Sequence, residues 1–312
     1  MSSDPSVGVI DIGSNSIKCL VAGCGIDGLP KTLFERTAET RISAGIDSRS
    51  PVLSEDAMEA GVAAVEQLCL AMKAYHPSVV KIVATSAVRD AGNGCVFAEG
   101  VETVTGIPLT ILSGEQEALG IARGLACDPA VRNQPDFCIF DLGGGSLEYI
   151  EFGVGQVQCA VSMQLGAVRL TERFIPAINE PVHQSALEYI WDHCFDVLKA
   201  AGVRRSHPGL VVGTGGGFSV SRLILGARDG RSAEASLPSL LVSDLRDLLF
   251  QISQVSLNDR LTIPGLPASR ADIYPAALAT IVAVADYVGT TEFIHSFYNL
   301  RFGIAADLLG EL

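Results

Sequence analysis

No two cysteines in this chain stand in C-x-x-C spacing, and no His/Cys cluster has zinc-site spacing, although eight cysteines and five histidines are present. A zinc module is thereby excluded, and thiols in apolar runs such as Phe137-Cys138-Ile139-Phe140 are expected to act as small buried hydrophobes. No apolar run approaches the about 18 residues of a membrane span. The longest, residues 276–285, is broken by Asp286 and predicts a core helix. The N-terminus lacks a basic segment followed by an apolar stretch, so no signal peptide is expected and the cytoplasm is the expected compartment. Basic side chains are in deficit, 22 Lys and Arg against 35 Asp and Glu, for a net charge of −13. That balance argues against DNA, RNA or anionic membrane as a partner and, taken alone, against any polyanionic substrate. The G-x-x-x-x-G-K-[ST] pattern of a P-loop is missing as well.

What remains is an ordinary globular composition, 48 % hydrophobic and 18 % charged over 312 residues. At about 150 residues per domain this suggests two domains. Val7-Gly8-Val9-Ile10 reads as a buried strand, Asp11-Ile12-Gly13-Ser14-Asn15-Ser16 as a turn, and residues 17–22 as a second strand. Ser54 is expected to cap a helix whose apolar stripe is Met58, Val62, Val65, Cys69 and Met72. Strands follow at residues 79–85 and 107–112. Ser113 with Gln116 fits a capping box for a helix reaching about Leu125. The opening pattern then returns. Phe137-Cys138-Ile139-Phe140 precedes Asp141-Leu142-Gly143-Gly144-Gly145-Ser146, and residues 147–152 resume as a strand. Asp11 thus matches Asp141 and Ser16 matches Ser146, as in duplicated domains. Further helices are expected at residues 167–175, 183–201, 243–255 and 271–288, with a polar surface loop at 229–238. The class is α/β, with domains at residues 1–126 and 127–299 and residues 300–312 packing back on the first.

Glycine-rich turns after strands serve either as tight hairpins needing positive φ or as cradles whose N–H groups approach a phosphate. Three are present: Gly13 to Ser16, Gly143 to Ser146, and Gly213-Thr214-Gly215-Gly216-Gly217, the last leading into a helical segment. The first two lead into strands, which disfavours a dinucleotide fold. Asp11 and Asp141 are either caps of their own turns or carboxylates that face each other across a cleft and hold Mg²⁺. Glu148, two residues past Ser146, shares that residue's face and is either a solvated strand residue or a third carboxylate of the site. Gln116 completes the capping box, so Glu117 is not needed for that cap and is either a helix-dipole acid or a general base.

Together these motifs resemble the exopolyphosphatase and guanosine pentaphosphate phosphatase family, of the actin, sugar-kinase and Hsp70-like superfamily. The resemblance runs in order through Ile10-Asp11-Ile12-Gly13-Ser14-Asn15-Ser16, Ala84-Thr85-Ser86-Ala87-Val88-Arg89-Asp90-Ala91 and Ser113-Gly114-Glu115-Gln116-Glu117-Ala118. It continues through Asp141-Leu142-Gly143-Gly144-Gly145-Ser146-Leu147-Glu148, Leu165-Gly166-Ala167-Val168-Arg169-Leu170-Thr171-Glu172 and Gly213-Thr214-Gly215-Gly216. It closes with Arg270-Ala271-Asp272-Ile273 and Leu300-Arg301-Phe302-Gly303. The resemblance implies two RNase-H-like domains flanking a cleft and Mg²⁺-assisted hydrolysis of a terminal phosphoanhydride, with release of orthophosphate. It makes Glu117 the base, Asp141 and Glu148 the metal- and water-positioning carboxylates, and Arg89 the cation that neutralises the scissile phosphate. Lys18 stands where many members have Arg, keeping charge but losing bidentate geometry. Phe302 replaces an acidic residue of the closing motif. The chain stops at that motif, without the helical C-terminal domains that help longer relatives grip long polyphosphate. A short polyphosphate or a guanosine polyphosphate is therefore the expected substrate, and the sequence admits a homodimer. The competing readings are a non-catalytic sensor of polyphosphorylated nucleotides and an ATP-dependent kinase of the same superfamily.

Overall fold

Two strands buried along nearly their whole length, Ser6–Ile12 and Phe137–Leu142, organise the chain, and each is followed by a turn rich in glycine and serine. The computed structural model describes residues 5–43, 51–154, 156–207, 209–232 and 235–311. They form two units, one reaching Asn133 and resuming at Tyr298, the other Gln134–Phe297. The first contains β1 (Ser6–Ile12), β2 (Ile17–Cys24), β3 (Pro30–Ala38), α1 (Glu55–Met72), β4 (Val79–Ala84), α2 (Ser86–Asp90), α3 (Gly94–Thr105), β5 (Leu109–Ile111) and α4 (Gly114–Leu125). Its sheet has the order β3-β2-β1-β4-β5. The first three strands are antiparallel, and β4 and β5 run parallel to β1.

The second unit contains β6 (Phe137–Leu142), β7 (Leu147–Gly153), β8 (Gln156–Met163), α5 (Ala167–Phe174), α6 (Gln184–Ala200), β9 (Leu210–Thr214) and α7 (Gly215–Arg228). It continues with β10 (Ser239–Leu241), α8 (Val242–Ser253), α9 (Leu257–Arg260), α10 (Tyr274–Val288) and β11 (Glu292–His295). Its sheet order, β10-β11-β9-β6-β7-β8, repeats the first with one antiparallel strand, β10, added at the edge. Both sheets have the RNase-H-like order, so the α/β class and the duplication read from two short motifs extend to whole sheets. The apolar run at 276–285 lies within α10, which is buried almost throughout, and no helix among the described residues is long and apolar enough to cross a membrane.

The last helix, α11 (Leu300–Gly310), belongs to the first unit and packs on α4 and β1. Glycines make that close approach feasible: a Cβ on Gly303 would collide with the Gly120 carbonyl, and one on Gly124 with the Asn299 carbonyl. Residues 127–133 also stay with this unit, Arg132 pairing with Asp27 at 3.1 Å. The boundary therefore falls after Asn133, a little beyond the position expected near residue 126.

Most expected elements are present, and the differences have local causes. Ser54 caps α1 and the Ser113–Gln116 capping box forms. In α1, Gly61, Val65, Leu68 and Met72 are buried and Met58, Val62 and Cys69 are partly buried against the same core, with Gly61 letting Phe97 of α3 approach. The third glycine turn is already helix, α7 starting at Gly215. Strand β3 escaped notice because it is an exposed edge with little apolar alternation. Cys24 and Cys95 are exposed, unlike the other thiols. In the polar loop at 229–238, positions 233 and 234 lie outside the described residues.

Candidate active site

In the first unit, β1 and β2 form a tight hairpin in which Asp11 stands directly opposite Lys18 and Gly13 N–H donates to Ser16 O at 3.1 Å. The turn's carbonyls are occupied. Ser14 O accepts from Ser43 N–H at 3.2 Å, and Asn15 O from Arg41 N–H at 3.0 Å. In a trans peptide C=O and N–H point in opposite directions, so anchored carbonyls turn the amides of Asn15 and Ser16 the other way. Ser14, Asn15 and Ser16 are buried. Ser14 Oγ meets Ser86 Oγ at 3.1 Å, and Asn15 Nδ2 donates to Glu39 at 2.9 Å. Asp11 Oδ1 and Asn15 Oδ1 are buried acceptors with no hydrogen-bond partner. Burial raises the Asp11 carboxyl above its usual range, opposed by the positive charges of Lys18 and Arg301.

Arg301 comes from α11. It is buried, pairs with Glu35 at 2.6 Å, and donates to the Cys19 carbonyl of β2 at 3.4 Å. Beyond β4, helix α2 carries Arg89. Its Nη1 donates to Glu117 Oε2 at 2.7 Å and to Leu112 O at 3.2 Å. Glu117 sits one residue past the capping box and is only 6 % exposed. Its backbone N–H is bonded to Ser113 O, so the carboxylate is not needed for the cap. Arg89 and Glu117, two predicted site residues far apart in sequence, are thus brought together as an ion pair.

The second unit repeats the hairpin with different charges. Asp141 stands directly opposite Glu148, and Gly143 N–H donates to Ser146 O at 3.0 Å. Here α5 holds the carbonyls: Gly143 O accepts from Ala167 N–H, Gly144 O from Val168 N–H at 2.9 Å, and Gly145 O from Arg169 Nε at 3.0 Å. Gly166 is required for that approach, since a Cβ there would collide with the Gly144 carbonyl. The amides of Gly144, Gly145 and Ser146 are again turned away. Glu148 is 2 % exposed and accepts from Ser162 Oγ of β8 at 2.6 Å. It is therefore no solvated strand residue.

On the other side of Asp141, β9 places Thr214 in parallel register. Thr214 is the N-cap residue of α7 and makes no side-chain cap bond. Its Oγ1 is fully buried without a partner. The next residue, Gly215, has φ of 87°, and a Cβ there would collide with Asp141 Oδ1 and Leu142 O. Arg270 lies over the following glycine, its Nη1 2.7 Å from where a Gly216 Cβ would sit. Asp141, Glu148, Thr214 and the uncapped N-terminus of α7 therefore converge.

Directly opposed like charges are unfavourable in an antiparallel pair, and a hard cation beside Asp141 and Glu148 would relieve that repulsion. Among the described residues, no three His, Cys, Asp or Glu side chains gather into a metal cage. Mg²⁺ does not need one, because it keeps several waters and uses one or two carboxylates plus substrate phosphates. The donor set fits that ion.

A family model described as the Ppx/GppA phosphatase family matches residues 24–312. The chain belongs to this family. It is 31 % identical over 270 residues to an uncharacterised protein of Streptomyces coelicolor, covering 84 % of this chain and 78 % of that one. Its structure is similar to an exopolyphosphatase from Cytophaga hutchinsonii, with TM-score 0.86 and 25 % identity over 98 % of each chain. It is also similar to the Aquifex aeolicus PPX-GPPA enzyme, with TM-score 0.80 and 22 % identity over 97 % of this chain and 99 % of that one. Membership of the Ppx/GppA family makes it a phosphatase of the two-domain, actin-like ATPase fold. The sequence signals give no role to Arg270, Thr214, Ser162 or Arg169, although Arg270, Thr214 and Arg169 all lie in motifs of the family resemblance. For Thr214 and Ser162 the usable signal is their register beside Asp141 and Glu148, which only strand pairing reveals.

Proposed function

We propose that this chain releases orthophosphate from the terminal phosphoanhydride of short inorganic polyphosphate or of guanosine pentaphosphate. The observation that carries this reading is the pair of hairpins whose carbonyls are held from behind, by residues 41–43 in one unit and by α5 in the other. Backbone amides fixed in this way are preorganised for phosphate oxygens, and each such donor is typically worth about 10²–10³ in rate. Lys18 adds charge to the first turn. Arg89 neutralises developing charge on the scissile phosphate, and Glu117 takes the proton of the attacking water. Arg89 fixes the Glu117 carboxylate through their 2.7 Å contact, and substrate phosphate competes for the same guanidinium.

Asp141 and Glu148 would hold Mg²⁺, and Asp11, with its unpartnered Oδ1, would hold a bound water. When bound, Mg²⁺ supplies charge neutralisation and orients phosphate oxygens. Such transfer needs positioning and electrostatics more than covalent chemistry, which suits backbone amides, cations and carboxylates. The test is phosphate release with Mg²⁺ across pyrophosphate, short and long polyphosphate, and guanosine pentaphosphate. Turnover of short chains or the nucleotide, lost in Glu117→Gln, is expected. Ligand-induced thermal stabilisation without phosphate release would make the protein a sensor instead.

A further inference from the structure

Behind the third glycine turn lies a buried polar chain that the proposed reaction does not use directly. Arg222 of α7 is buried, and its guanidinium is fixed on three sides. Nε donates to Ser236 Oγ at 2.8 Å, Nη2 to Ser236 O at 2.7 Å, and the plane lies 4.6 Å from the Phe297 ring centre. Its Nη1 lies 3.3 Å from His295 Nδ1 at the end of β11. Arginine can only donate, so Nδ1 accepts and the neutral ring carries its proton on Nε2. His295 is 2 % exposed, and burial with the neighbouring Arg222 charge pushes it down to about 3, so it stays neutral at working pH. Nε2–H then donates to Ser219 Oγ at 3.1 Å, and the Ser219 hydroxyl donates to the Gly215 carbonyl at 2.8 Å. Every proton in the chain has one direction, from Arg222 to His295 to Ser219 to Gly215.

The endpoint is the carbonyl that opens α7. Gly215 has φ of 87°, outside helical values, and Gly216 follows it, so the peptide joining them sits where the extended chain turns into helix, and the Ser219 hydroxyl adds a second hold to the helical bond on its carbonyl. That peptide's N–H belongs to Gly216, the second residue of α7. An N-cap hydroxyl normally accepts from the second or third amide, but Thr214 makes no such bond and its buried Oγ1 has no partner. We infer that Arg222, His295 and Ser219 form a positioning relay that locks the Gly215–Gly216 peptide, so that the Gly216 N–H is held toward a phosphate oxygen. The inference deepens the proposed function and rests on the third turn being a phosphate site.

Two measurements separate the relay from that reading. The first follows the Gly216 backbone amide resonance of the full chain during titration with inorganic phosphate. The second measures kcat and KM for phosphate release. In the native chain the Gly216 amide should move on phosphate addition. In Ser219→Ala, phosphate binding should weaken and kcat/KM fall about tenfold or more, less than the about 10²–10³ for losing a preorganised donor outright, with the melting temperature within a few degrees. Ser219→Thr, which keeps a hydroxyl able to reach the carbonyl four residues back, should restore both. If the native chain hydrolyses neither polyphosphate nor guanosine pentaphosphate, yet Gly216 responds to phosphate and Ser219→Ala weakens that response, the relay stands and the hydrolase reading fails. A Gly216 amide indifferent to phosphate, or phosphate affinity unchanged in Ser219→Ala, overturns the relay whatever the activity.

Discussion

Replacing Glu117 by Gln separates a chemical role from a structural one, because the structure sets the two costs far apart. The carboxylate accepts from Arg89 Nη1 at 2.7 Å, with side-chain exposures of 22 % for Arg89 and 8 % for Glu117. Glutamine has the same shape and still offers an oxygen to that donor. Arg89 also keeps Leu112 O at 3.2 Å and Asp90 at 3.7 Å. The loss is then the difference between a charge-assisted and a neutral hydrogen bond, about 1 kcal/mol. In a protein with domains of this size that lowers Tm by about 2–4 °C. As a general base, Glu117 would instead contribute about 10²–10⁴ in rate, equivalent to about 3–5 kcal/mol of barrier.

Thermal melts and phosphate-release kinetics on the same preparations should therefore show a small stability loss beside a large fall in kcat. Glu117→Ala serves as the contrast. It strands Arg89 and opens a cavity, so its stability cost should approach the about 3 kcal/mol lower bound for breaking a buried pair. Activity of Glu117→Gln within threefold of the native chain would remove Glu117 as the base. A Gln variant destabilised as much as the Ala variant would make any activity loss structural.

Three other outcomes are expected. Glu148→Gln removes one of two opposed carboxylates, so the melting temperature without metal should hold or rise while stabilisation by Mg²⁺ disappears; equal Mg²⁺ stabilisation in the variant would refute the metal assignment. Gly303→Ala drives a methyl into the Gly120 carbonyl and to 2.9 Å from Gly124 N, an overpacking that should cost about 1–3 kcal/mol; a melt within 1 °C of native would refute the tight α4–α11 seam. His295, depressed from 6.5 to about 3, takes up its proton only on unfolding between those values, so stability is lost as pH falls through that window, at about 1.4 kcal/mol per unit. Urea midpoints at pH 7 and pH 5 should show His295→Gln losing about 2 kcal/mol less than native, and equal losses would contradict the buried neutral ring.

Much of this was legible in the sequence because the signals were local. A buried strand running into Asp-x-Gly-x-x-Ser specifies its own hairpin, and Ser113 with Gln116 specifies its own cap. Illegible were contacts set by strand pairing and helix crossing. Thr214 looks like a residue in a glycine turn until β9 is laid beside β6. Arg301 lies 282 residues from the Cys19 carbonyl it meets, and no periodicity announces that. Glu148 was ambiguous for the same reason, since β8 must pair with β7 before Ser162 reaches it. Arg89 and Glu117 each carried a motif, but their ion pair required the ends of β4 and β5 to lie side by side.

The repeat is informative where it fails to repeat. Position for position, Asp11 matches Asp141 and Lys18 matches Glu148, and each pair stands directly opposite across its hairpin. The backbones are alike, with Gly13 N–H to Ser16 O at 3.1 Å and Gly143 N–H to Ser146 O at 3.0 Å. The charges are not. The first hairpin brings a cation to its aspartate from β2, and α11 adds Arg301, whose charge acts on the same carboxyl. The second sets two carboxylates against each other, with Ser162 donating to Glu148 from β8 and Thr214 beside Asp141 on β9. A metal ion would relieve repulsion at the second hairpin and would meet existing positive charge at the first. Duplicated backbone with divided charge therefore argues that the second hairpin takes phosphate together with a cation and the first takes phosphate beside its own lysine. A chain of net charge −13 can then meet a polyanion through its glycine turns.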